Sequence, residues 1–147
     1  MRTRNVQITA HIQNTPDVVM GYIADVRNRP FFLPSLKSVA EIQGAPTAVG
    51  TTWKWKWIAL GMEFEGVGRC ISHEPGRQYV FRTEGGITST WIYKAEAEGG
   101  GTKVTLDIEY EIPERVLARL SSDAILDTLR KSEADHATQN LKLILER

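Results

Sequence analysis

The chain has 147 residues, 41% of them hydrophobic and 24% charged, which are the proportions of one domain with a single core. Its 18 Lys and Arg residues balance 18 Asp and Glu residues, so no net charge draws it to nucleic acid or to an anionic membrane. The single cysteine, Cys70, excludes an internal disulfide and fits a reducing compartment. With no signal-peptide pattern and no long apolar run, we expect one cytoplasmic domain over residues 1–147 and no membrane-spanning segment.

The first 43 residues predict a strand, two short helical segments and a second strand. Residues 6–13 alternate between apolar and polar side chains, which is the period of a half-buried strand. Thr15 then offers a capping hydroxyl and Pro16 suits the first helical position, so a helix begins there. Asn28-Arg29-Pro30 breaks it, and Phe31-Phe32-Leu33-Pro34 is an apolar segment of about one helical turn between two prolines. The second strand is expected from about residue 36 to residue 43.

Three tryptophans recur at every second position in the stretch from Thr52 to Ile58, with Lys54 and Lys56 between them. This alternation predicts a strand with one aromatic face and one charged face. A turn at Leu60-Gly61 fixes its register against the next strand. The predicted cross-strand pairs are Trp53 with Gly68, Trp55 with Gly66, Trp57 with Phe64 and Lys56 with Glu65. Large rings over glycines on one face favour a curved sheet whose aromatic face is concave.

The later strands extend the aromatic face. A four-residue loop at Glu74-Pro75-Gly76-Arg77 places Tyr79 and Phe81 beside Ser72 and Cys70. Trp91 and Tyr93 also point inward, provided that the Gly85-Gly86 turn has an odd residue count or a bulge. After the Gly99-Gly100-Gly101 turn, the predicted pairs are Glu96 with Lys103, Tyr93 with Leu106 and Trp91 with Ile108. The chain has four Trp, four Tyr and four Phe residues, and nine of these aromatic residues then share one sheet face. They are Trp53, Trp55, Trp57, Phe64, Tyr79, Phe81, Trp91, Tyr93 and Tyr110.

The period changes to that of a helix after Pro113 and stays helical to the C-terminus. A first helical piece is expected from Glu114 to Leu120. A long amphipathic helix follows, with an apolar face made of Ile125, Leu126, Leu129, Ala137, Leu141, Leu143 and Ile144. Glu133, Asn140 and His136 project near that face. They are expected either to orient the polar end of a ligand, with Glu133 and His136 as acid and base, or to lie solvated at a rim.

The order of these elements resembles the START/Bet v 1-like (SRPBCC) helix-grip superfamily, and in particular its bacterial polyketide cyclase/dehydrase-like branch. The motifs that carry the resemblance span the whole chain: Thr15-Pro16-Asp17-Val18-Val19, Phe31-Phe32-Leu33-Pro34-Ser35, Val49-Gly50-Thr51-Thr52-Trp53, Glu74-Pro75-Gly76-Arg77, Gly100-Gly101-Thr102-Lys103-Val104-Thr105 and Asn140-Leu141-Lys142 with Glu146. The resemblance implies an α+β helix-grip fold. In this fold a seven-stranded curved antiparallel sheet wraps a long C-terminal helix, and two short helices follow strand 1.

The resemblance also implies a cavity between the sheet and the helix that holds an apolar molecule. Members bind lipids, sterols, quinones or polyketides, and a few are enzymes. Aromatase/cyclase members are understood to use polar groups in the cavity, an arginine among them. Here the predicted register turns Arg69 and Arg82 outward, and no arginine is assigned to the cavity, which argues against cyclase activity.

Three functions stay open at this point. The first is binding of a small hydrophobic or aromatic ligand, such as a lipid, a quinone or a polyketide-like molecule. The second is acid–base catalysis of the cyclase/dehydratase type. The third is a protein-interaction or quinone-chaperone module, which requires Val67, Ile71 and Val80 to form one apolar patch on the outer face. A fully packed aromatic core is the alternative to a cavity.

We predict these ligand-binding residues: Phe32, Trp53, Trp55, Trp57, Phe64, Tyr79, Phe81, Trp91, Tyr93, Tyr110, Leu129, Glu133, His136 and Asn140. Glu133 and His136 are also the candidate catalytic residues. No metal site is expected, because no histidines or carboxylates have metal-ligand spacing, and Cys70 has no partner motif. No cofactor is expected, and the expected partner is a small hydrophobic molecule.

Overall fold

Seven strands and three α-helices make up the described part of the chain. The computed structural model describes residues 2–59, 61–112, 114 and 123–146, and the side chains of residues 2, 3, 112 and 123–130 fall outside the description. The elements are β1 (Arg2–Ile12), α1 (Pro16–Ala24), a 3₁₀ turn (Val26–Asn28), α2 (Arg29–Phe32), β2 (Leu36–Gln43), β3 (Thr52–Ala59), β4 (Met62–Glu74), β5 (Gln78–Gly85), β6 (Ser89–Glu98), β7 (Gly101–Ile112) and α3 (Asp123–Leu145). Apart from Glu114, the helical piece predicted before α3 lies outside the described residues.

The strands form one antiparallel sheet in the order β1-β7-β6-β5-β4-β3-β2. Neighbours in the chain are neighbours in the sheet from β2 to β7, and β1 pairs with β7 along its whole length, from Arg2 opposite Ile112 to Ile12 opposite Thr102. The helices pack over one face, where α3 contacts β1 and α2. This is the predicted α+β helix-grip fold.

The register between β3 and β4 confirms the prediction from the tryptophan spacing. Trp53, Trp55 and Trp57 lie opposite Gly68, Gly66 and Phe64, and Lys56 lies opposite Glu65. The indole of Trp53 covers Gly68 so closely that a Cβ there would sit 2.6 Å from its Cζ2 atom. Because these rings lie flat over residues with no side chain, the sheet can curve around them.

The β4–β5 pairing differs from the prediction in one respect. The loop contains three residues, Pro75 to Arg77, so Tyr79 lies opposite His73 rather than beside Ser72. The register then shifts between Cys70 and Ser72, and Phe81 lies opposite Cys70 as predicted. The loop is one residue shorter than predicted, and the bulge compensates for this difference, so the pairing beyond the bulge is the predicted one. Counting loop residues in the sequence could not reveal this compensation.

The turn after β5 has the odd residue count that the prediction for Trp91 and Tyr93 required. Thr83 pairs with Ser89, so an odd number of residues, five, lies between this pair and the inward phase is kept. Trp91 lies opposite Phe81, and Tyr93 lies opposite Tyr79. The predicted pairs between β6 and β7 are all present. All nine predicted aromatic residues belong to the core or pack against it.

The C-terminal end of α3 is fastened to both the N-terminal strand and α2. Asn14 donates from Nδ2 to the carbonyl of Leu145 at 2.7 Å, and Asn140 donates from Nδ2 to the carbonyl of Phe32 at 3.3 Å. Leu141 and Leu145 are buried, whereas Leu143 is 71% exposed. The prediction that Leu143 belongs to the apolar face was wrong. A step of two residues rotates by about 200° around a helix, so Leu143 points away from Leu141.

Candidate ligand cavity

A cavity of about 480 Å³ lies between the concave sheet face and the helices. Its volume falls within the range of small-molecule sites, about 300–1,000 Å³. The aromatic wall consists of Trp53, Trp55, Trp57, Phe64, Phe81, Trp91, Tyr93 and Tyr110. Aliphatic side chains of β1 and β7 form a second wall, and α3 contributes Ser132, Glu133, Ala134, Ala137 and Thr138.

The rings of the aromatic wall pack against one another. Phe81 and Trp91 are stacked with centroids 5.3 Å apart, and Trp53 meets Phe81 edge-on at 5.7 Å. Two indole donors are bound within the wall: Trp55 donates to the carbonyl of Val67 at 3.0 Å, and Trp91 donates to Ser89 Oγ at 2.9 Å. With these N–H groups engaged, Trp55 and Trp91 offer a ligand apolar ring surface rather than hydrogen-bond donors.

Nine of the fourteen predicted ligand-binding residues line this cavity, namely the eight aromatic residues above and Glu133. Phe32 instead packs against Tyr22, with centroids 5.9 Å apart, and Tyr79 lies fully buried beside Phe81. Asn140 binds the carbonyl of Phe32, and His136 is exposed. The side chain of Leu129 lies outside the described residues.

Glu133 lines the cavity, whereas His136 does not. Glu133 accepts hydrogen bonds from the backbone N–H of Ser35 at 2.9 Å and from its hydroxyl at 2.8 Å. Its carboxylate therefore links α3 to the segment that precedes β2. His136 lies on the exposed side of α3 near Lys131, Asp135 and Gln139. The structure thus shows a structural contact for Glu133, and among the described residues Glu133 and His136 do not form an acid–base pair inside the cavity.

Arg29 is the residue of the cavity that the sequence prediction missed. It begins α2, is only 2% exposed and lines the cavity, so the expectation that no arginine enters the cavity was wrong. Arg69 and Arg82 are exposed, as predicted. The prediction assigned Arg29 to the break after the first helix, so no residue periodicity placed its side chain on a buried face.

The guanidinium of Arg29 is surrounded by aromatic rings. Its Cζ lies 4.1 Å from the centroid of Phe81, 4.8 Å from that of Trp53 and 5.0 Å from that of Tyr79. Contacts of this kind stabilise a desolvated cation by up to about 2 kcal/mol each. Within the described part of the chain, none of its three nitrogens donates a hydrogen bond to a protein acceptor. Aromatic rings therefore surround the guanidinium, and no carboxylate of the described residues pairs with it.

The carboxylate of Asp25 interacts electrostatically with Arg29, but its hydrogen bonds are made to Arg27. Asp25 binds Arg27, with its Oδ1 3.0 Å from Nε and its Oδ2 2.6 Å from Nη2. The hydrogen bond from Arg27 holds the pKa of Asp25 below its usual value, and the charge of Arg29 adds to this effect. Asp25 therefore stays ionised and bound to Arg27 at neutral pH.

Two tyrosines next to Arg29 have perturbed acidities. Burial raises the pKa of Tyr79 to about 12, although the positive charge of Arg29 acts in the opposite direction. Burial also raises the pKa of Tyr93 well above its usual value, again against the effect of Arg29. Burial likewise raises the pKa of the Cys70 thiol. All three groups are therefore neutral at pH 7, and Cys70 behaves as a small buried hydrophobe.

The raised pKa of Tyr79 predicts a loss of stability at alkaline pH. Above pH 10 the unfolded chain releases this proton while the folded protein retains it up to about pH 12. The free energy of unfolding should therefore fall by about 2 kcal/mol between pH 10 and pH 12 through this group. Urea denaturation across this range, compared with Tyr79→Phe, measures the effect. A loss of the same size in the variant would show that Tyr79 ionises normally in the fold.

Replacing Arg29 by Met is expected to stabilise the ligand-free protein by about 1–3 kcal/mol, because a buried charge without an ionic partner costs more than an apolar side chain of similar length. Urea denaturation at pH 7 measures this change. The control is Arg69→Met, which removes an exposed positive charge and should change stability by less than about 1 kcal/mol. Marked destabilisation of Arg29→Met would instead mean that the arginine holds the fold together.

A smaller polar cluster lies in another part of the cavity. Thr83 and Ser89 share a short hydrogen bond, and Thr83 also donates to the carbonyl of Ile87 at 2.9 Å. Both residues are buried and line the cavity. Ser89 lies four residues before Tyr93 on β6, so this cluster is about 13 Å along the strand from the tyrosine near Arg29. The cavity therefore has two separate polar regions joined by apolar walls.

The sequence was compared with models of known protein families. A model of the family described as polyketide cyclase/dehydrase and lipid transport matches residues 3–146. The chain belongs to this family. The family match covers the whole cavity, because every lining residue lies within the matched range. No curated protein sequence matches the chain significantly.

Solved structures share the fold of this family member at low sequence identity. The protein TTHA0849 from Thermus thermophilus is 18% identical, with a TM-score of 0.79 over 95% of this chain and 94% of that one. The Zhui aromatase/cyclase from a Streptomyces species is 16% identical, with a TM-score of 0.77 over 99% and 95%. The major latex-like protein 151 of Panax ginseng is 18% identical, with a TM-score of 0.60 over 91% and 97%. At these identities the likeness establishes the fold alone.

Two further features of this family member bear on its chemistry. Among the residues that the structure describes, no group of three or more His, Cys, Asp and Glu side chains could hold a metal ion. A search of the described helices likewise finds none with the length and apolar character needed to cross a membrane.

Proposed function

We propose that the protein binds a small hydrophobic or aromatic molecule in the cavity between the sheet and α3. The observation that carries this proposal is the cavity of about 480 Å³, lined by eight aromatic side chains. A packed core would fill this volume with side chains, since protein interiors are close-packed. Membership in a family described by cyclase/dehydrase activity and lipid transport supports the same conclusion.

The character of the lining indicates the chemistry of the ligand body. Trp55 and Trp91 present rings whose donors are already bound, and the β1 and β7 walls are mainly aliphatic. Affinity would therefore come mainly from apolar surface removed from water, at about 25 cal/mol per Å². Lipids, quinones and polyketide-like aromatics all offer such a surface.

Native mass spectrometry of protein purified from its own host tests the proposal. We expect a non-covalent adduct with one ligand per chain, which is lost on denaturation. Titration with a panel of fatty acids, quinones and polycyclic aromatics should quench the tryptophan emission, because Trp53, Trp55, Trp57 and Trp91 all line the cavity. Absence of both an adduct and saturable quenching would refute binding in the cavity.

A cyclase/dehydratase-type enzyme is the second candidate, and the position of Arg29 favours it. A buried guanidinium can stabilise the negative charge that develops on an enolate oxygen during proton abstraction. Because Glu133 is bound to Ser35, its part as the base is less well supported than that of Arg29 as an electrostatic group. Turnover of a polyketide-like substrate that Arg29→Met abolishes, with binding retained, would establish catalysis. Turnover that Glu133→Gln leaves intact would remove Glu133 from the mechanism.

The protein-interaction alternative is less well supported. Val67 and Val80 project from different parts of the outer sheet face, separated by the opposed pair Arg69 and Arg82. Val67 itself lies opposite Lys54 on one side and Glu84 on the other. The described residues of the outer face therefore do not join Val67, Ile71 and Val80 into one apolar patch.

A further inference from the structure

We infer that the ligand of this cavity carries a carboxylate, which binds the edge of the Arg29 guanidinium, on an apolar body. This inference rests on the proposed binding function and specifies the class of ligand. Arg29 is 2% exposed and lines the cavity. Within the described residues its nitrogens make no well-formed hydrogen bond to the protein and interact with the neutral hydroxyl of Tyr79. A buried cation of this kind is costly unless an anion joins it.

Among the described residues, the carboxylates nearest to Arg29 and the cavity do not supply that anion. Asp25 is bound by Arg27, and Glu133 accepts both of its hydrogen bonds from Ser35. Glu111 lines another part of the cavity, next to the position where Tyr110 pairs with Ser89. That position is about 13 Å along β6 from Tyr93, which lies near Arg29. The described part of the site is therefore positively charged at the Arg29 end.

The arrangement of rings around Arg29 indicates how the anion would approach. The Cζ atom lies over the ring of Phe81 at 4.1 Å and within 5.0 Å of the rings of Trp53 and Tyr79. Rings that cover the face of a guanidinium leave its N–H groups directed along the edge, in the plane of the group. A carboxylate accepts two parallel hydrogen bonds from that edge, which is the geometry that distinguishes Arg from Lys. Tyr79, neutral at pH 7, lies beside this edge without a competing charge.

The shape of the cavity indicates the rest of the molecule. Apolar walls extend from Arg29 toward the Thr83 and Ser89 cluster. Thr83 lies two residues, or about 7 Å, along β5 from Phe81, the ring nearest to Arg29. An extended apolar chain or a fused aromatic body spans this distance with its carboxylate at the Arg29 end. A neutral lipid of the same size would leave the guanidinium without a partner, and this should be measurable as a difference in affinity.

Matched pairs of acids and alcohols test the inference. Decanoate and decanol, and naphthoate and naphthalenemethanol, share an apolar body and differ in the charged head. Isothermal titration calorimetry on the wild-type protein at pH 7.5 should show the carboxylate of each pair binding at least about 10-fold more tightly. Arg29→Met should reduce that ratio to near one and leave the affinity for the alcohol almost unchanged. Arg29→Lys should retain part of the preference, because it keeps the charge but loses the two-pronged geometry.

Arg69→Met is the matched control. It removes an exposed positive charge on the outer face of the sheet and leaves Asp25 bound to Arg27, so it should keep the full preference for the acid. Equal affinity of the wild-type protein for acid and alcohol would overturn the carboxylate inference and leave the proposed binding function intact. Failure of all four compounds to bind would overturn the proposed function itself. If Arg29→Met does not fold, the wild-type ratio and Arg29→Lys still decide.

Discussion

Replacing Ala137 by Phe should weaken the binding of apolar ligands by about 100-fold and leave the fold intact. Ala137 lies on α3 and lines the cavity, so a phenyl ring there would occupy space that the ligand needs. Displacing about four methylene groups of a ligand, at about 0.8 kcal/mol each, accounts for the loss. A cavity of about 480 Å³ can take up the ring without the strain that overpacking causes in a filled core.

The measurement is isothermal titration calorimetry with decanol, together with thermal unfolding of each protein. Gln139→Phe is the control, because it adds the same ring at an exposed position of the same helix and should leave binding unchanged. Loss of ligand binding only in Ala137→Phe, with a similar unfolding temperature in both variants, is the expected pattern. Undiminished binding in Ala137→Phe would show that ligands occupy some other part of the protein.

Replacing Gly66 by Ala should destabilise the protein by about 3 kcal/mol or more. The added Cβ would collide with the backbone carbonyl of Glu84 on β5 and would lie 2.7 Å from Cζ2 of Trp55. Neither neighbour can move freely, because Gly66 pairs with Gly85 on β5 and the indole of Trp55 donates to the carbonyl of Val67. Relief of the collision requires either separation of β4 from β5 or displacement of Trp55 into the cavity.

Gly21→Ala is the matched control for this prediction. Gly21 lies within α1, and a Cβ there would meet no atom within 4 Å. Because alanine favours a helix over glycine, this variant should be neutral or up to about 1 kcal/mol more stable. Urea denaturation of the two variants compares them directly. A loss below about 1 kcal/mol in Gly66→Ala would mean that the sheet is less tightly packed at the tryptophan strand than these contacts indicate.

Both predictions concern the same design of the fold. Tryptophan rings on β3 lie over glycines on β4, which lets the sheet curve. A cavity remains between the concave face of this sheet and α3. The space that remains is lined from both sides, by Trp55 on the sheet and Ala137 on the helix. The stability of the curved sheet and the binding capacity of the cavity are thus separate properties, which the two variants distinguish.

The pairing of β3 with β4 could be predicted from residue spacing, because alternation on a strand has a fixed period and a short turn sets the register. The same reasoning failed locally at β5, where a three-residue loop and a register shift near Ser72 placed Tyr79 opposite His73. Bulges insert a residue without a sequence signature, so counting positions cannot detect them. On α3, the exposure of Leu143 shows that apolar character alone does not fix the buried face.

The sequence by itself determined the nine-residue aromatic face and most of the strand register, since these depend on local periodicity and turn chemistry. Its resemblance to a known superfamily supplied the fold class. Only the tertiary structure decided that Arg29 enters the cavity among Phe81, Trp53 and Tyr79, and that Glu133 is occupied by Ser35 while His136 faces solvent. The physical reason is that burial of a charge depends on which distant elements surround it. Arg29 lies in a four-residue helix, at the position where the sequence predicts that the first helix ends. Aromatic rings from β3 and β5, which are distant in sequence, bury it.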